Sequence, residues 1–297
     1  MAMRSNVLPV LTMLGLILVI WYVGSVGMNQ QWTRDQAARA GVELSFSDIV
    51  TDAMAQRRPM LPPPHQVAQA LWEGVTAEPI TSRRSLVYHA WITVESTLAG
   101  FFLGLAVGVL MAVGIVYFRV IDASLMPWAV ISQTIPIIAL APMIVVLSNS
   151  LSLGEMLGVE NRLVSKAIIA AYLSFFPVLV GMVKGLRSPD AMQLDLLSTY
   201  SATGTQGFFK LRLPASVPYL FASLKVAIAA ALVGAIVGEL PTGAVEGLGA
   251  RMLVASQFGQ PLLMWASLFA AAAVAGVLIV SVGAIEKLAV RRMGVRT

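Results

Sequence analysis

Residues 96–118 read STLAGFFLGLAVGVLMAVGIVYF, a run without a charged side chain. A helix needs about 20 predominantly apolar residues to cross the hydrocarbon of a bilayer, and this run is long enough. Within it Gly100, Gly104 and Gly108 recur every fourth residue and fall on one helical stripe. Lipid tails are as apolar as leucine, so membrane helices associate through close backbone approach at small residues. The run therefore predicts a spanning helix packed tightly on a neighbour.

The rest of the chain has the same character. Of its 297 residues 58% are apolar and 12% charged, whereas a soluble domain has about 45–50% and about 25%. That leaves too little polar surface to cover a water-soluble globule, so part of the surface must face lipid. The net charge of +5 comes without a basic cluster interleaved with aromatics, so nucleic acid is not an expected partner. There is no cysteine, which excludes a disulfide framework, a thiolate metal site and a cysteine nucleophile. His65 and His89 are the only imidazoles and neither has metal-ligand spacing around it.

Five further runs extend the pattern. Val7–Gly27 is read as a retained first span rather than a cleaved signal peptide, because it exceeds the usual apolar region of about 7–15 residues. Ala123–Gly154 is too long for one straight crossing and carries Pro127, Pro136 and Pro142, which predicts a kinked or broken third span. Ala167–Val183 and Pro218–Leu240 supply the fourth and fifth, and Met252–Ile285 holds a sixth that starts near Pro261. The expected fold is an all-α membrane protein of six transmembrane helices.

Lys and Arg accumulate in short cytoplasmic loops. With both termini inside, that side holds Arg4, Arg119, Lys184, Arg187, Lys210, Arg212, Lys225, Lys287, Arg291, Arg292 and Arg296, against Arg162, Lys166 and Arg251 in the opposite short loops. The long external segment 28–90 holds the other six, but loops beyond about 60 residues largely escape the rule. The chain reads N-in/C-in. The expected organisation is an N-terminal helix over 1–27, an external loop over 28–90, a helical core over 91–290 and a basic cytoplasmic tail over 291–297. The loop contains a polar, helical piece at Gln31–Arg39, a stiff Pro62-Pro63-Pro64 and an amphipathic helix over Gln66–Gly74. About 60 residues are too few for a two-lobed substrate-binding domain.

Some residues are candidates for a pathway or gate. In the fifth span Ala230, Gly234 and Gly238 form a second small-residue stripe, which predicts a tightly packed central helix. Lys225 and Glu239 lie 14 positions apart, about 21 Å along a helix, so each could snorkel to its own interface or mark a site. Glu95 opens the second span. Gln133 and Pro136 sit in the proline-rich third span. Glu239–Gly249 is a glycine-rich outer loop that could gate the pathway or form a plain turn.

The stretch from Arg187 carries the most information: RSPDAMQLDLLSTYSATGTQGFFKLRLPASVPYLFASLKVA. Asp190 can cap a helix that begins at Ala191. Leu194, Leu197 and Tyr200 fall on one face. Thr203-Gly204-Thr205 is expected to break the helix, and Gln206–Leu211 to form a second one stopped before Pro214. The result is a cytoplasmic helix–turn–helix with an apolar stripe that includes Phe208 and Phe209, suited to a groove on a partner protein.

This stretch resembles the EAA loop of permeases in binding-protein-dependent ABC importers, whose pattern is EAA, three residues, Gly, nine residues and Ile-x-Leu-Pro. Counting back from Leu211-Arg212-Leu213-Pro214 places Asp195-Leu196-Leu197 at EAA and Ser201-Ala202-Thr203 where the family often has Gly-Ala-Ser/Thr. QTIPIIALAPMIVV at 133–146 and RPMLPPPHQVAQALW at 58–72 are similar to the sulfonate, nitrate, riboflavin and hydroxymethylpyrimidine branch of that family.

The resemblance implies a type I ABC-importer permease-like fold in the bacterial inner (cytoplasmic) membrane. It also implies a two-fold homodimer, an external or periplasmic substrate-binding protein and an ATP-binding cassette subunit. Asp195, Leu197, Ser201, Ala202, Gly204, Phe208, Phe209, Leu213 and Pro214, within a coupling loop over 188–215, would meet that subunit. Serine at the turn departs from glycine, and Gly204 or Gly207 would have to supply the backbone freedom instead. No GxxxxGK[ST] phosphate loop occurs, so ATP is expected on the partner and no cofactor in this chain. An ion-gradient-driven secondary transporter is the alternative; its paired coupling acids and repeated interrupted helices are not visible. A membrane enzyme would need a base beside a nucleophile, and the spans offer none.

Overall fold

The computed structural model describes residues 7–241 and 246–292, with the backbone alone at Arg292. Arg4, Arg296, most of the basic tail and Thr242-Gly243 of the outer loop lie outside the described residues. All regular structure among the described residues is helical. Five helices are long and apolar enough to cross a membrane, or six if one bent pair counts as a span. The chain divides into two compact units. One holds the chain up to His89 together with Arg251–Ala270, and the other holds Ala90–Ala250 and the chain from Ala271 on.

In the first unit, helix α1 (Val7–Ala40) does not stop at Gly27. It runs on for about 51 Å in all, well past the roughly 30 Å of hydrocarbon. Nothing after Gly27 breaks it until Gly41, which takes φ +66° and closes a left-handed cap. The segment expected as external loop therefore begins as helix. Helix α2 (Phe46–Ala55) and α3 (Pro64–Thr76) fold back along it. Buried Asn29 fastens this arrangement: its Oδ1 accepts from the Met60 and Leu61 N–H groups at 2.8 and 3.2 Å, and its Nδ2 donates to the Leu61 carbonyl at 2.9 Å. Trp21 stacks on Phe269 with ring centroids 5.7 Å apart.

In the second unit, α4 (Leu86–Tyr117) carries the first-quoted run but begins ten residues before it, with His89 and Glu95 already helical. Charge does not end a helix that projects beyond the hydrocarbon. The third span is broken, as the prolines predict. Helix α5 (Arg119–Ser132) and α6 (Ile137–Ser150) meet at 104° across 133–136. Only Pro136 makes the break, while Pro127 and Pro142 are carried inside helices. Short α7 (Leu153–Leu157) leads into α8 (Asn161–Leu186).

Helix α8 is the core of this unit, where the sequence pointed to the fifth span as the central helix. Both glycine stripes press on it. A Cβ at Gly100 would meet the Ala167 carbonyl at 2.7 Å, one at Gly108 the Phe175 carbonyl at 2.7 Å, and one at Gly234 the Ala170 Cα at 2.6 Å. Gly181 and Gly185 of α8 are in turn closed by Ser223 and Ser216 of α11 (Leu213–Glu239). A helix flanked on two sides at backbone distance has more buried surface than either neighbour, and fifteen α8 residues are buried. The last helices are α12 (Leu248–Gln257) and α13 (Pro261–Arg292).

Candidate functional site

The segment between α8 and α11 forms a helical projection. Helix α9 (Ala191–Thr199) starts at Asp190, whose backbone N–H donates to Gln193 Oε1 at 3.2 Å, half of a capping box. It ends in a Schellman turn. The Ser201 N–H donates to the Ser198 carbonyl at 2.9 Å and the Ala202 N–H to the Leu197 carbonyl at 3.0 Å. Ser201 itself takes φ +52°. The left-handed residue thus stands at the position of the family glycine. Gly204 and Gly207, expected to provide that freedom, have ordinary φ. Serine here accepts a left-handed strain of about 1–2 kcal/mol.

The second half departs from the expected short helix stopped before Pro214. Thr203 caps a helix starting at Gly204, its Oγ1 accepting from Gln206 N–H at 3.3 Å while its own N–H donates to Gln206 Oε1 at 3.0 Å. Chain 204–207 (α10) then widens into a π-turn over Phe208–Arg212 and runs without interruption into α11. The Leu213 N–H reaches back to the Phe208 carbonyl, five residues away. That wider turn makes room for the Pro214 ring, which in a regular α-helix would press on the carbonyl four residues before it.

Two anchors hold the projection. Arg212 Nη1 donates to the Leu186 carbonyl at 2.9 Å, at the negative C-terminal end of α8. Arg187 Nη2 meets Asp122 Oδ2 at 2.7 Å. Phe208 and Leu213 pack into the cluster around Leu179, Met182 and Leu186, and the Phe208 ring lies 5.8 Å from Tyr117. Both are half-buried there, so part of each side chain is taken up inside the chain. Leu194 and Leu197 are half-buried as well. The outward apolar face of α9 is made by Met192, Leu196 and Tyr200, 78%, 57% and 77% exposed, and Phe209 on the π-turn is separately 60% exposed. The sequence signal for it was present in their i, i+4, i+8 spacing. It went unread because Leu194 and Leu197 offer an apolar pattern on the opposite side. Asp195 is exposed beside this face.

The other candidates separate. Gln133 and Pro136 sit at the break in the third span, where Thr134, Ile135 and Pro136 are exposed. The Tyr172 hydroxyl donates to the Ser132 carbonyl beside them. Lys225 does not snorkel. Its Nζ lies 2.5 Å from Glu286 Oε2 on α13, and the pair is only partly covered. Glu286 was missed because it directly follows the charge-free run ending at Ile285, where a boundary was expected. Gly234 and Gly238 are packing contacts on α8. Glu239 is fully buried: its Oε1 accepts from Thr93 Oγ1 at 2.8 Å and its Oε2 from the Gly249 N–H at 2.6 Å, while Leu248 N–H donates to Thr93 Oγ1 at 2.9 Å. It clamps the returning outer loop to α4. Glu95, by contrast, lies on the wall of a cavity of about 320 Å³ with Arg162 and Lys166.

Comparison with known proteins accords with this architecture. The family model described as "Binding-protein-dependent transport system inner membrane component" matches residues 104–295. A probable ABC transporter permease protein of Haemophilus influenzae is 32% identical over 77% of this chain and 85% of its own length. The riboflavin transport system permease protein RibX of Chloroflexus aurantiacus is 29% identical over 78% of this chain and 80% of its own. A chain of the MetNI methionine ABC transporter, solved in inward-facing conformations, superposes with a TM-score of 0.50 at 18% identity, covering 75% of this chain and 96% of that one.

Proposed function

The chain belongs to the family of binding-protein-dependent transport system inner membrane components, and from that premise we propose how its parts divide the work of import. It is the permease subunit of an ABC importer and a multi-pass membrane protein, a transporter component and not an enzyme. Such a permease works with an ATP-binding subunit and a substrate-binding protein. In our reading the membrane is the bacterial inner membrane, the N-terminus faces the cytoplasm, and a second copy of the chain completes a homodimer around the pathway. ATP is held by the partner subunit alone.

The observation that carries the coupling assignment is the exposed Met192-Leu196-Tyr200 face on α9. A free face of three large apolar side chains on a water-exposed helix is what a partner groove removes from water, at about 25 cal/mol per Å² of apolar surface. The anchors at Arg187 and Arg212 make the projection stiff, so closure of the ATP-binding subunits is delivered to α8 and α11 and not absorbed by a loop. Asp195 lies beside the same face on α9, and Phe209 is exposed on the π-turn that follows.

The break at 133–136 supports a pathway there. Non-helical backbone at membrane depth is tolerated only against protein or beside a water-filled cavity, and this one is exposed on the single chain. The half-covered Lys225–Glu286 pair obeys the same logic, since charge facing lipid is costly. The solute is a small organic molecule delivered from outside.

The test is co-purification of the tagged chain with its ATP-binding subunit in mild detergent, with ATPase and uptake assays. Wild type should retain the subunit near one-to-one. Leu196→Asp and Tyr200→Asp should lose it while inserting normally. Asp195→Ala and Phe209→Ala should lower ATP-driven uptake. Full uptake in the Leu196→Asp variant would overturn the assignment.

A further inference from the structure

The cavity between the ends of α4 and α8 holds five charged side chains, and one is in an unusual state. Lys166 is 5% exposed, yet among the described residues no oxygen lies within ion-pair or hydrogen-bond distance of its ammonium. Its charge reaches buried Glu239 only at longer range, and both Glu239 oxygens are already engaged by Thr93 and Gly249. The stem is covered, but the Nζ itself is not sealed from solvent; it reaches the cavity, where reduced solvation strengthens its attraction for an opposite charge. Lys166 opens to the cavity, where a ligand can supply what the protein does not.

One helical turn away Arg162 lines the same wall, loosely held at 3.8 Å from Glu160 and exposed. These two cations at i, i+4 on α8 favour an anionic group. Glu95 of α4, Glu160 and Glu246 also line the cavity, so an anion bearing no positive charge would approach three carboxylates as well. Glu95 is exposed and makes no ion pair among the described residues.

We propose that this cavity is a solute subsite for a compact zwitterion, with its anionic group against Lys166 and Arg162 and its amino group against Glu95. The volume of about 320 Å³ is at the small end of ligand sites, which suits an amino acid-sized molecule. This deepens the permease reading and rests on it: with the N-terminus inside, the cavity opens at the outer end of the spans, where a delivered solute first meets the chain. The two cations set orientation and charge preference at entry.

The chain has no cysteine, so Val159→Cys, on the exposed apolar wall of the cavity, gives a single thiol. Its labelling by a membrane-impermeant maleimide is followed in the purified complex, with β-alanine and its longer ω-amino homologues, propionate and propylammonium as probes. Protection by a zwitterion and not by the two singly charged probes is expected. In Lys166→Met the half-protecting concentration should rise about tenfold, the loss of one charge-assisted contact. Lys166→Met could fail to fold, and Arg162→Gln, at an exposed position, then carries the test with the same expectation. Arg34→Gln, on exposed α1 surface, should change nothing. Protection by propionate equal to that by the zwitterions, no protection at all, or full protection in Arg162→Gln overturns the subsite. A complex with normal ATPase but no protection sinks the subsite alone. Absence of the ATP-binding subunit sinks the permease coupling, and labelling of the chain by itself still decides the subsite.

Discussion

Replacing Gly234 by alanine adds one methyl group, and the structure says where it goes. The new Cβ would lie 2.6 Å from the Ala170 Cα, 3.0 Å from the Ile169 carbonyl oxygen and 3.1 Å from the Ala170 N. All three are backbone atoms of α8, so no rotamer change relieves them. Ordinary carbon contacts lie near 3.5–4.0 Å, which requires α11 to move from α8 by about 1 Å. A radial gap of about 0.5–1 Å forfeits a quarter to a half of each dispersion contact, and overpacking of this kind costs about 1–3 kcal/mol. Alanine's better helix propensity offsets at most about 1 kcal/mol, and less in lipid, where backbone exposure to water is not at issue.

The expected result is net destabilisation, read by SDS titration or thermal unfolding of the purified chain with tryptophan fluorescence. Gly15→Ala on α1 is the matched control, because nothing lies within 4 Å of its Cβ, and it should be neutral. Gly100→Ala presses on Ala170 from α4. The double variant should therefore deviate from additivity, since both changes displace one residue. Equal stability of Gly234→Ala and Gly15→Ala would refute the claim that α8 is held at backbone distance from α11.

Other consequences are as direct. Ser201→Gly relieves the left-handed cap and should stabilise the projection by about 1 kcal/mol after the added unfolded-state entropy, measured as slower hydrogen exchange at Ala202. Thr93→Val removes the hydroxyl that donates to Glu239 and accepts from the Leu248 N–H, and should cost about 1–3 kcal/mol in all, read by the same unfolding titration. Lys225→Met and Glu286→Gln each leave a partly covered charge or dipole unpaired and should cost about 1–2 kcal/mol, discounted for exposure. The charge-swapped double variant should recover most of that loss.

Much of this protein was legible in its sequence because a bilayer imposes length and charge rules that act locally. A run of about 20 residues without charge has few alternatives to a spanning helix, so the spans were found, and with them the broken one. The spacing from Asp195 to Pro214 located the projection, and Asp190 its first cap. Pairings across helices were not legible. Nothing adjacent to Lys225 names Glu286, and nothing in the fifth span says that its glycines face α8. Helix ends beyond the hydrocarbon were also hidden, because past the membrane a charged residue no longer marks a boundary, as in the extension of α1 to Ala40.

The sequence by itself therefore determined the class, the spans and the place of the projecting segment, since hydrophobic length and motif spacing are properties of one strand of chain. Only the tertiary structure decided that α8 is the core and that Ser201 bears the left-handed strain. It also decided that Phe208 turns inward while Leu196 faces out, and that Lys166 waits in a cavity. Each of these depends on which atoms come within a few ångströms from segments far apart in sequence, and short-range contact energies choose among faces that the pattern of residues leaves equivalent.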